Sequence, residues 1–308
     1  MEFLISPSWA EVTREEASEK PEQEDRRQEA EEAARLRDLF LRQEKVFIRK
    51  GEFLGEINTF YNTDEATVFA TGNAGTLVAG QVQSRTTELT LIGRYGLWDG
   101  LEIDLIVPVF VHARQQLNIG TLAIDRKETG IGDVSAALRY QLIGERGGIP
   151  DVILDINAIS DTGGDNLRGT GNWSIGTGIT FVKTIDPVVL FGRVGYTWTL
   201  AAEDDLSDIE LTPVRVTRNP GDIIQYRVGM GFSLNDRVSF NLAVNGAVVG
   251  SSKIDGRKQR NSNLELLTLV LSTTVLVTKQ LFVEPVVGVG LTDDAFDTFV
   301  GIRFPYRF

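Results

Sequence analysis

From Gly51 to Phe308 the chain repeats one pattern, in which apolar and polar side chains alternate with a period of two. That period puts successive side chains on opposite faces of a strand. Leu101, Ile103, Leu105, Val107, Val109 and Val111 share one face, with Glu102, Asp104, Pro108, His112 and Arg114 on the other. The pattern predicts twelve strands, near 52–61, 82–97, 101–114, 132–143, 151–160, 172–183, 188–201, 222–233, 237–250, 263–277, 280–291 and 297–308. The tenth, Leu264 to Val277, is apolar on both faces, and its orientation stays open.

The connections between these strands sort by length. Trp98-Asp99-Gly100, Gly144–Pro150, Ile185-Asp186-Pro187, Asn235-Asp236 and Thr278-Lys279 are tight. Polar segments at 62–81, 115–130, 161–171, 202–221 and 251–262, and a shorter one at 292–296, alternate with them. A soluble sandwich has no reason to sort its loops this way. An even-stranded outer-membrane barrel has short turns on one side and long loops on the other. No stretch reaches the roughly 18 apolar residues of a membrane-spanning helix. The mean hydropathy of −0.06 suits a wall that interleaves lipid-facing with lumen-facing side chains. Aromatic residues sort too. Tyr95, Trp98, Tyr140, Phe181, Phe232, Phe240, Phe282, Tyr306 and Phe308 lie by short turns or the C-terminus, while Trp173, Tyr196, Trp198 and Tyr226 lie nearer long loops. Two such clusters are expected of interfacial girdles. The expected fold is all-β, a 12-stranded antiparallel transmembrane β-barrel preceded by a short N-terminal α-helix. The net charge of −12 argues against nucleic acid as a partner.

Three regions follow. Residues 1–10 read as a residual signal segment, with Ser8-Trp9-Ala10 before Glu11 as its small-x-small end. Residues 11–50 form a charged helical region, starting near Pro21 and helical from about Glu22 to Gln43. Glu22/Arg26, Glu31/Arg35 and Asp38/Arg42 support it as i,i+4 pairs. Ala33, Leu36, Leu39 and Phe40 make one narrow apolar stripe. The helix is either solvated with a short docking face, or a plug that brings Leu36, Leu39 and Phe40 into the barrel mouth. Residues 51–308 form the barrel.

Little in the chain suggests catalysis. A barrel hydrolase needs a serine activated by a histidine, and His112 is the one histidine, with no such serine beside it. Without cysteine, a transition-metal site is close to excluded. Asp161-Thr162-Gly163-Gly164-Asp165-Asn166 reads as a polar turn, and Gly130-Ile131-Gly132-Asp133 opens a strand rather than a phosphate-binding helix. No enzyme and no cofactor are expected. The chemistry lies in the lumen, whose expected lining is Arg94, Glu102, Asp104, His112, Asp133, Arg139, Asp155, Arg193, Arg227, Glu284 and Arg303, with Glu56, Glu88, Arg114 and Arg307 beside them. These charges pair across strands to hold register, or line a water-filled path that sorts solutes, or do both.

Several segments carry a resemblance. They are Gly51-Glu52-Phe53, Gly93-Arg94-Tyr95-Gly96-Leu97, Gly130-Ile131-Gly132-Asp133-Val134, Arg139-Tyr140-Gln141-Leu142, Asp186-Pro187-Val188-Val189-Leu190-Phe191-Gly192 with Gly195-Tyr196, Pro220-Gly221-Asp222 with Gly229-Met230-Gly231-Phe232-Ser233-Leu234-Asn235, and Gly288-Val289-Gly290-Leu291-Thr292-Asp293-Asp294-Ala295. Together they resemble the outer-membrane barrels labelled phenol meta-pathway transporters, and within that group the secretion channel of the Fap functional-amyloid system. The resemblance implies a gated export channel for amyloid-type polypeptide subunits, with a pore-blocking helix, an N-terminal coiled-coil region and a homotrimer. The alternative is a porin-like diffusion channel for small molecules, aromatic ones included. It also implies the outer membrane of a Gram-negative bacterium, with both termini periplasmic. The partners would be outer-membrane lipid, the transported polypeptide or solute, and a barrel assembly machinery that grips Tyr306 and Phe308 on the last strand.

Overall fold

Residues 47–71, 77–119, 122–164, 167–205, 215–260 and 262–308 are described by the structure, a computed structural model. The segment 1–10, the helix of 22–43 and the stripe Leu36, Leu39 and Phe40 lie outside these residues. Seventeen strands occur among the described residues. They are β1 (Phe53–Thr71), β2 (Leu77–Trp98), β3 (Leu101–Ile119), β4 (Leu122–Gly130), β5 (Ser135–Ile143), β6 (Asp151–Ile159), β7 (Ser174–Ile185), β8 (Val188–Thr199), β9 (Ala202–Asp205), β10 (Arg215–Asn219), β11 (Ile223–Asn235), β12 (Val238–Val249), β13 (Lys253–Ile254), β14 (Arg257–Lys258), β15 (Leu264–Leu276), β16 (Phe282–Gly290) and β17 (Thr298–Arg307).

Thirteen of them form one sheet in the order β2-β1-β17-β16-β15-β12-β11-β8-β7-β6-β5-β3-β4, and β2 also pairs with β3, which closes the sheet on itself. β4 and β5 lie in line: β3 pairs with β5 through Leu101–Ile106 and with β4 through Val111–Ile119. Counted as one, they make the wall a twelve-stranded antiparallel barrel. A small sheet of β14-β13-β10-β9 sits at the long-loop end.

Two segments expected as loops, 62–81 and 115–130, are instead largely strand. β1 and β2 stay paired out to Thr71↔Leu77, and β3 and β4 out to Ile119↔Leu122. They carry charges such as Glu65, Arg126 and Lys127, which suit water better than lipid, but polar side chains do not prevent backbone groups from pairing, and a tall hairpin satisfies those groups outside the membrane. Likewise 202–221 and 251–262 contain β9, β10, β13 and β14.

The outer face is apolar around the whole wall. Ile57, Leu91, Ile103, Leu105, Leu138, Leu154, Ile156, Ile175, Leu190, Val194, Val228, Leu271, Val287 and Val300 are all exposed. In water, such a continuous belt would far exceed the patch a monomer tolerates. On β11 the outward residues run from Ile224 to Leu234, roughly 33 Å along the strand at about 3.3 Å per residue, which a tilt of about 40° reduces to roughly 25 Å. That is the height of a lipid-facing band. Phe53, Tyr95, Trp98, Tyr140, Phe181, Phe232, Phe240, Tyr306 and Phe308 stand exposed at its short-turn edge, and Trp173, Trp198 and Tyr226 at the other. Phe282, expected in the girdle, is buried and faces the lumen, two residues from Glu284 on the same face. β15 also becomes orientable: Leu271 is outward and exposed, while Val270 and Thr274 are buried inside.

Candidate functional site: the barrel lumen

The inward faces bring charge together near the short-turn end. In the register, Arg94 stands opposite Asp104, Glu102 opposite Arg139, Arg193 opposite Arg227, and Glu284 opposite Arg303. Arg139 lies 2.5 Å from Glu102, Arg193 2.5 Å from Asp155, Arg303 3.4 Å from Glu284 and Arg94 4.0 Å from Asp104. The pair of Asp155 on β6 and Arg193 on β8 has to reach across β7. It crosses at Gly178, where a Cβ would meet the Arg193 guanidinium at 2.5 Å and the Asp155 carboxylate at 2.7 Å. Glycine there is a packing requirement, since any side chain would fill the path of the ion pair.

Within each pair the two partners are exposed unequally. Glu102 and Glu284 have 0% and 2% of their side chains exposed, against 14% and 31% for Arg139 and Arg303. Asp155 with Arg193 and Asp104 with Arg94 follow the same order. The short carboxylates stay against the wall, and the longer arginines arch over them with guanidinium heads toward water. A solute in the lumen therefore meets N–H donors and flat cationic faces before it meets carboxylates. Glu56 also lines the space, as an acceptor among these donors. Burying such charges is expensive unless each is paired, and breaking one buried pair typically costs about 3–5 kcal/mol.

Three of the arginines face aromatic rings: Arg139 lies 5.4 Å from the ring centre of Phe47, Arg227 5.1 Å from Phe191 and Arg303 5.5 Å from Phe60. Each lies within cation–π range.

The chain enters this lumen before it begins its first strand. Glu52 donates its amide to the Arg49 carbonyl (3.0 Å), and Gly51 turns the chain with φ of 81°. Gly51 donates to the Gly96 carbonyl (2.8 Å), and Gly96 donates to that of Glu52 (3.2 Å). From this turn Arg49, Ile48 and Phe47 form a strap inside the wall. Ile48 is buried and donates its amide to Glu102 (3.1 Å). Phe47 packs against a cluster of Ile153, Val182, Val189, Phe191 and Ala243. The strap passes over Gly96, where a Cβ would lie 2.1 Å from the Arg49 carbonyl oxygen. Beside it remains a cavity of about 370 Å³.

Eight of the expected lining residues border this cavity: Arg94, Asp104, Arg139, Asp155, Arg193, Arg227, Glu284 and Arg303. Glu102 lies beneath Arg139. Two expected lumen residues, His112 and Arg114, are corrected. His112 faces outward, because Val109 bulges out of β3 between the pairs Leu89↔Phe110 and Thr90↔Pro108. The extra residue inverts the alternation, so that Phe110 is exposed while Val111 and Ala113 are buried. His112 meets Thr129 at 2.7 Å on the outer side of the tall hairpin, and Arg114 pairs there with Asp125. Asp133 does not border the cavity: it accepts from the amides of Gly163 (2.9 Å) and Thr170 (2.8 Å), bracing the connection after β6. Sequence reading missed Phe47, Ile48 and Phe282. The one signal for the first two is an apolar pair sitting between a charged region and a Gly51 turn. Among the described residues no cluster of acidic, histidine or cysteine side chains could hold a metal ion.

Several solved outer-membrane proteins are similar to this chain. The outer membrane channel of the COG4313 group from Pseudomonas putida F1 superposes with a TM-score of 0.62 at 14% identity, covering 86% of this chain and 98% of that one. The translocator domain of the autotransporter NalP from Neisseria meningitidis gives 0.48 at 12% identity, covering 97% and 100%. The CymD monoaromatic hydrocarbon channel gives 0.44 at 10% identity, covering 84% and 88%. The first of these likenesses concerns the barrel fold. The family model described as "Putative MetA-pathway of phenol degradation" matches residues 58–308, from within β1 to just past β17, and the chain belongs to that family.

Proposed function

We propose that this chain is a passive outer-membrane channel for small molecules, planar aromatic ones among them, and not an enzyme. The observation that carries this reading is the alternation of guanidinium and phenyl faces in the lumen, at Arg139 with Phe47, Arg227 with Phe191 and Arg303 with Phe60. Guanidinium planes stack on aromatic faces, so a flat solute can exchange one stacking partner for another as it passes. A cavity of about 150 Å³ accommodates a benzene ring, and the lumen offers about 370 Å³ beside the strap. The family's description agrees with this choice. Export of a polypeptide, the other expectation, is served less well. An extended chain needs a continuous passage, and Phe47 and Ile48 occupy part of it. In this reading the short turns and both chain ends face the periplasm. Tyr306 and Phe308, on the outer face of the last strand, are the grip for the assembly machinery.

The test is a planar-bilayer recording of the purified protein with benzamide or a sugar of similar size on one side. Benzamide is expected to interrupt the ion current for resolvable times and the sugar is not, and Arg227→Ala is expected to shorten the interruptions. Equal behaviour of the two solutes would remove the aromatic assignment, and a silent bilayer would remove the channel itself.

A further inference from the structure

The outer wall carries a second crevice, of about 420 Å³, at the long-loop end. Its floor is Tyr196, Ile224 and Val248, register neighbours on β8, β11 and β12 whose side chains all point out of the barrel. Its roof belongs to the small outer sheet, in which Asn219 pairs with Lys253 and Lys253 with Lys258, so the three side chains share one face. Both lysines are exposed, and neither has an ion-pair partner among the described residues. Three acids stand nearby among the described residues; one, Asp255, sits in the turn between the two lysines and accepts from the Thr217 amide (2.8 Å). Asp222 is engaged by the Tyr196 hydroxyl (2.7 Å) and the Thr199 amide (3.1 Å), and Glu265 is the exposed register neighbour of Val248. The crevice lies at the level of Trp198 and Tyr226, the edge of the lipid-facing band.

Two cations with no ion-pair partner among the described residues, held side by side, repel each other, and an anion between them relieves that repulsion. Directly below them is an apolar floor that continues into the membrane-facing wall. A soluble anion would use only the lysines, whereas a ligand with a phosphate head and a hydrocarbon tail would use both parts. We propose that this crevice binds a phosphorylated lipid of the surrounding leaflet, with a phosphate between Lys253 and Lys258 and an acyl chain along Ile224 and Val248. The assignment rests on the outer-membrane reading above, because that reading puts the long-loop end in the outer leaflet, where phosphorylated glycolipid is the abundant anion.

Native mass spectrometry of the full chain in an uncharged detergent tests it with three probes: diphosphoryl lipid A, the same lipid stripped of its phosphates, and inorganic phosphate. One diphosphoryl lipid A per chain is expected. Each lysine near an anionic headgroup contributes about fivefold in affinity, so Lys253→Gln with Lys258→Gln should weaken binding roughly 30-fold. Lys279→Gln, at the opposite end of the barrel, should leave it unchanged. Wild-type affinity in the double variant, or equal binding of the dephosphorylated lipid, would overturn the site. Inorganic phosphate binding as tightly as the lipid would overturn the lipid and leave a free anion as the ligand. Conductance is not read here, so failure of the lipid site and failure of the channel are separate outcomes.

Discussion

Replacing Gly96 with alanine asks whether the strap sets the bore of the channel. The new Cβ would lie 2.1 Å from the Arg49 carbonyl oxygen and 2.6 Å from that of Ile48, both backbone atoms that no rotamer change can move. What holds the strap can be summed. The Ile48 amide bond to the Glu102 carboxylate contributes about 1.5–3 kcal/mol, the two neutral bonds at Gly96 about 1 kcal/mol each, and burial of Ile48 about 1.5–3 kcal/mol. The gross figure is roughly 5–8 kcal/mol. Ordering Phe47 through Lys50 costs about 1 kcal/mol per residue or more, leaving a net of roughly 1–4 kcal/mol. An overlap with two backbone oxygens exceeds that margin, so Gly96→Ala should expel the strap while leaving the barrel closed. Single-channel conductance should rise several-fold. The chain has no cysteine, so Ile48→Cys supplies a unique thiol, expected to resist a water-soluble maleimide in the parent and to react in the Gly96→Ala background. A folded variant with parental conductance and a protected thiol would refute the strap as the constriction.

Ile103→Lys puts an ammonium on the lipid side of β3 and should reduce barrel stability by roughly 2–4 kcal/mol in denaturant titrations in lipid, whereas Glu56→Lys, on the lumen lining, should chiefly change ion selectivity. Deleting Phe308, whose ring lies 5.3 Å from Phe53 and 4.8 Å from Tyr306, should lower the outer-membrane abundance of the protein without lowering its synthesis. On the tall hairpin outside the membrane, the Arg114 guanidinium holds the Asp125 carboxyl below its ordinary value of 3.8. A depressed folded-state value means that the pair's contribution is present above the unfolded value and is lost as pH falls through the folded one. Arg114→Ala should therefore move the Asp125 titration upward in an NMR pH series.

How far the sequence could be read depended on how strictly lipid constrains each position. The wall was legible, since every strand that crosses a bilayer has to alternate and every chain reversal has to return to one side or the other. The same rule made Arg139, Asp155 and Glu284 legible as lumen residues. His112 was not, because one inserted residue, Val109, leaves no mark in composition yet inverts everything beyond it. The tall hairpins β1–β2 and β3–β4 were read as loops because hydropathy registers lipid contact, not backbone pairing. Phe47 and Ile48 belong to no repeat, so periodicity had nothing to say about them.

The seam between β1 and β17 has a consequence for biogenesis. Its register joins Leu54 to Arg307 and continues for ten rungs to Thr63 and Thr298, so the two strands that close the cylinder are the first and last to be made. Until Phe308 has been synthesised, β1 carries a free edge of unpaired amides and carbonyls, a template for any other strand it meets. Sequence separations this large also make closure slow. The longest-lived hazard for this protein is therefore the interval before its own two ends meet, and whatever escorts the chain to the membrane has to cover that edge throughout it.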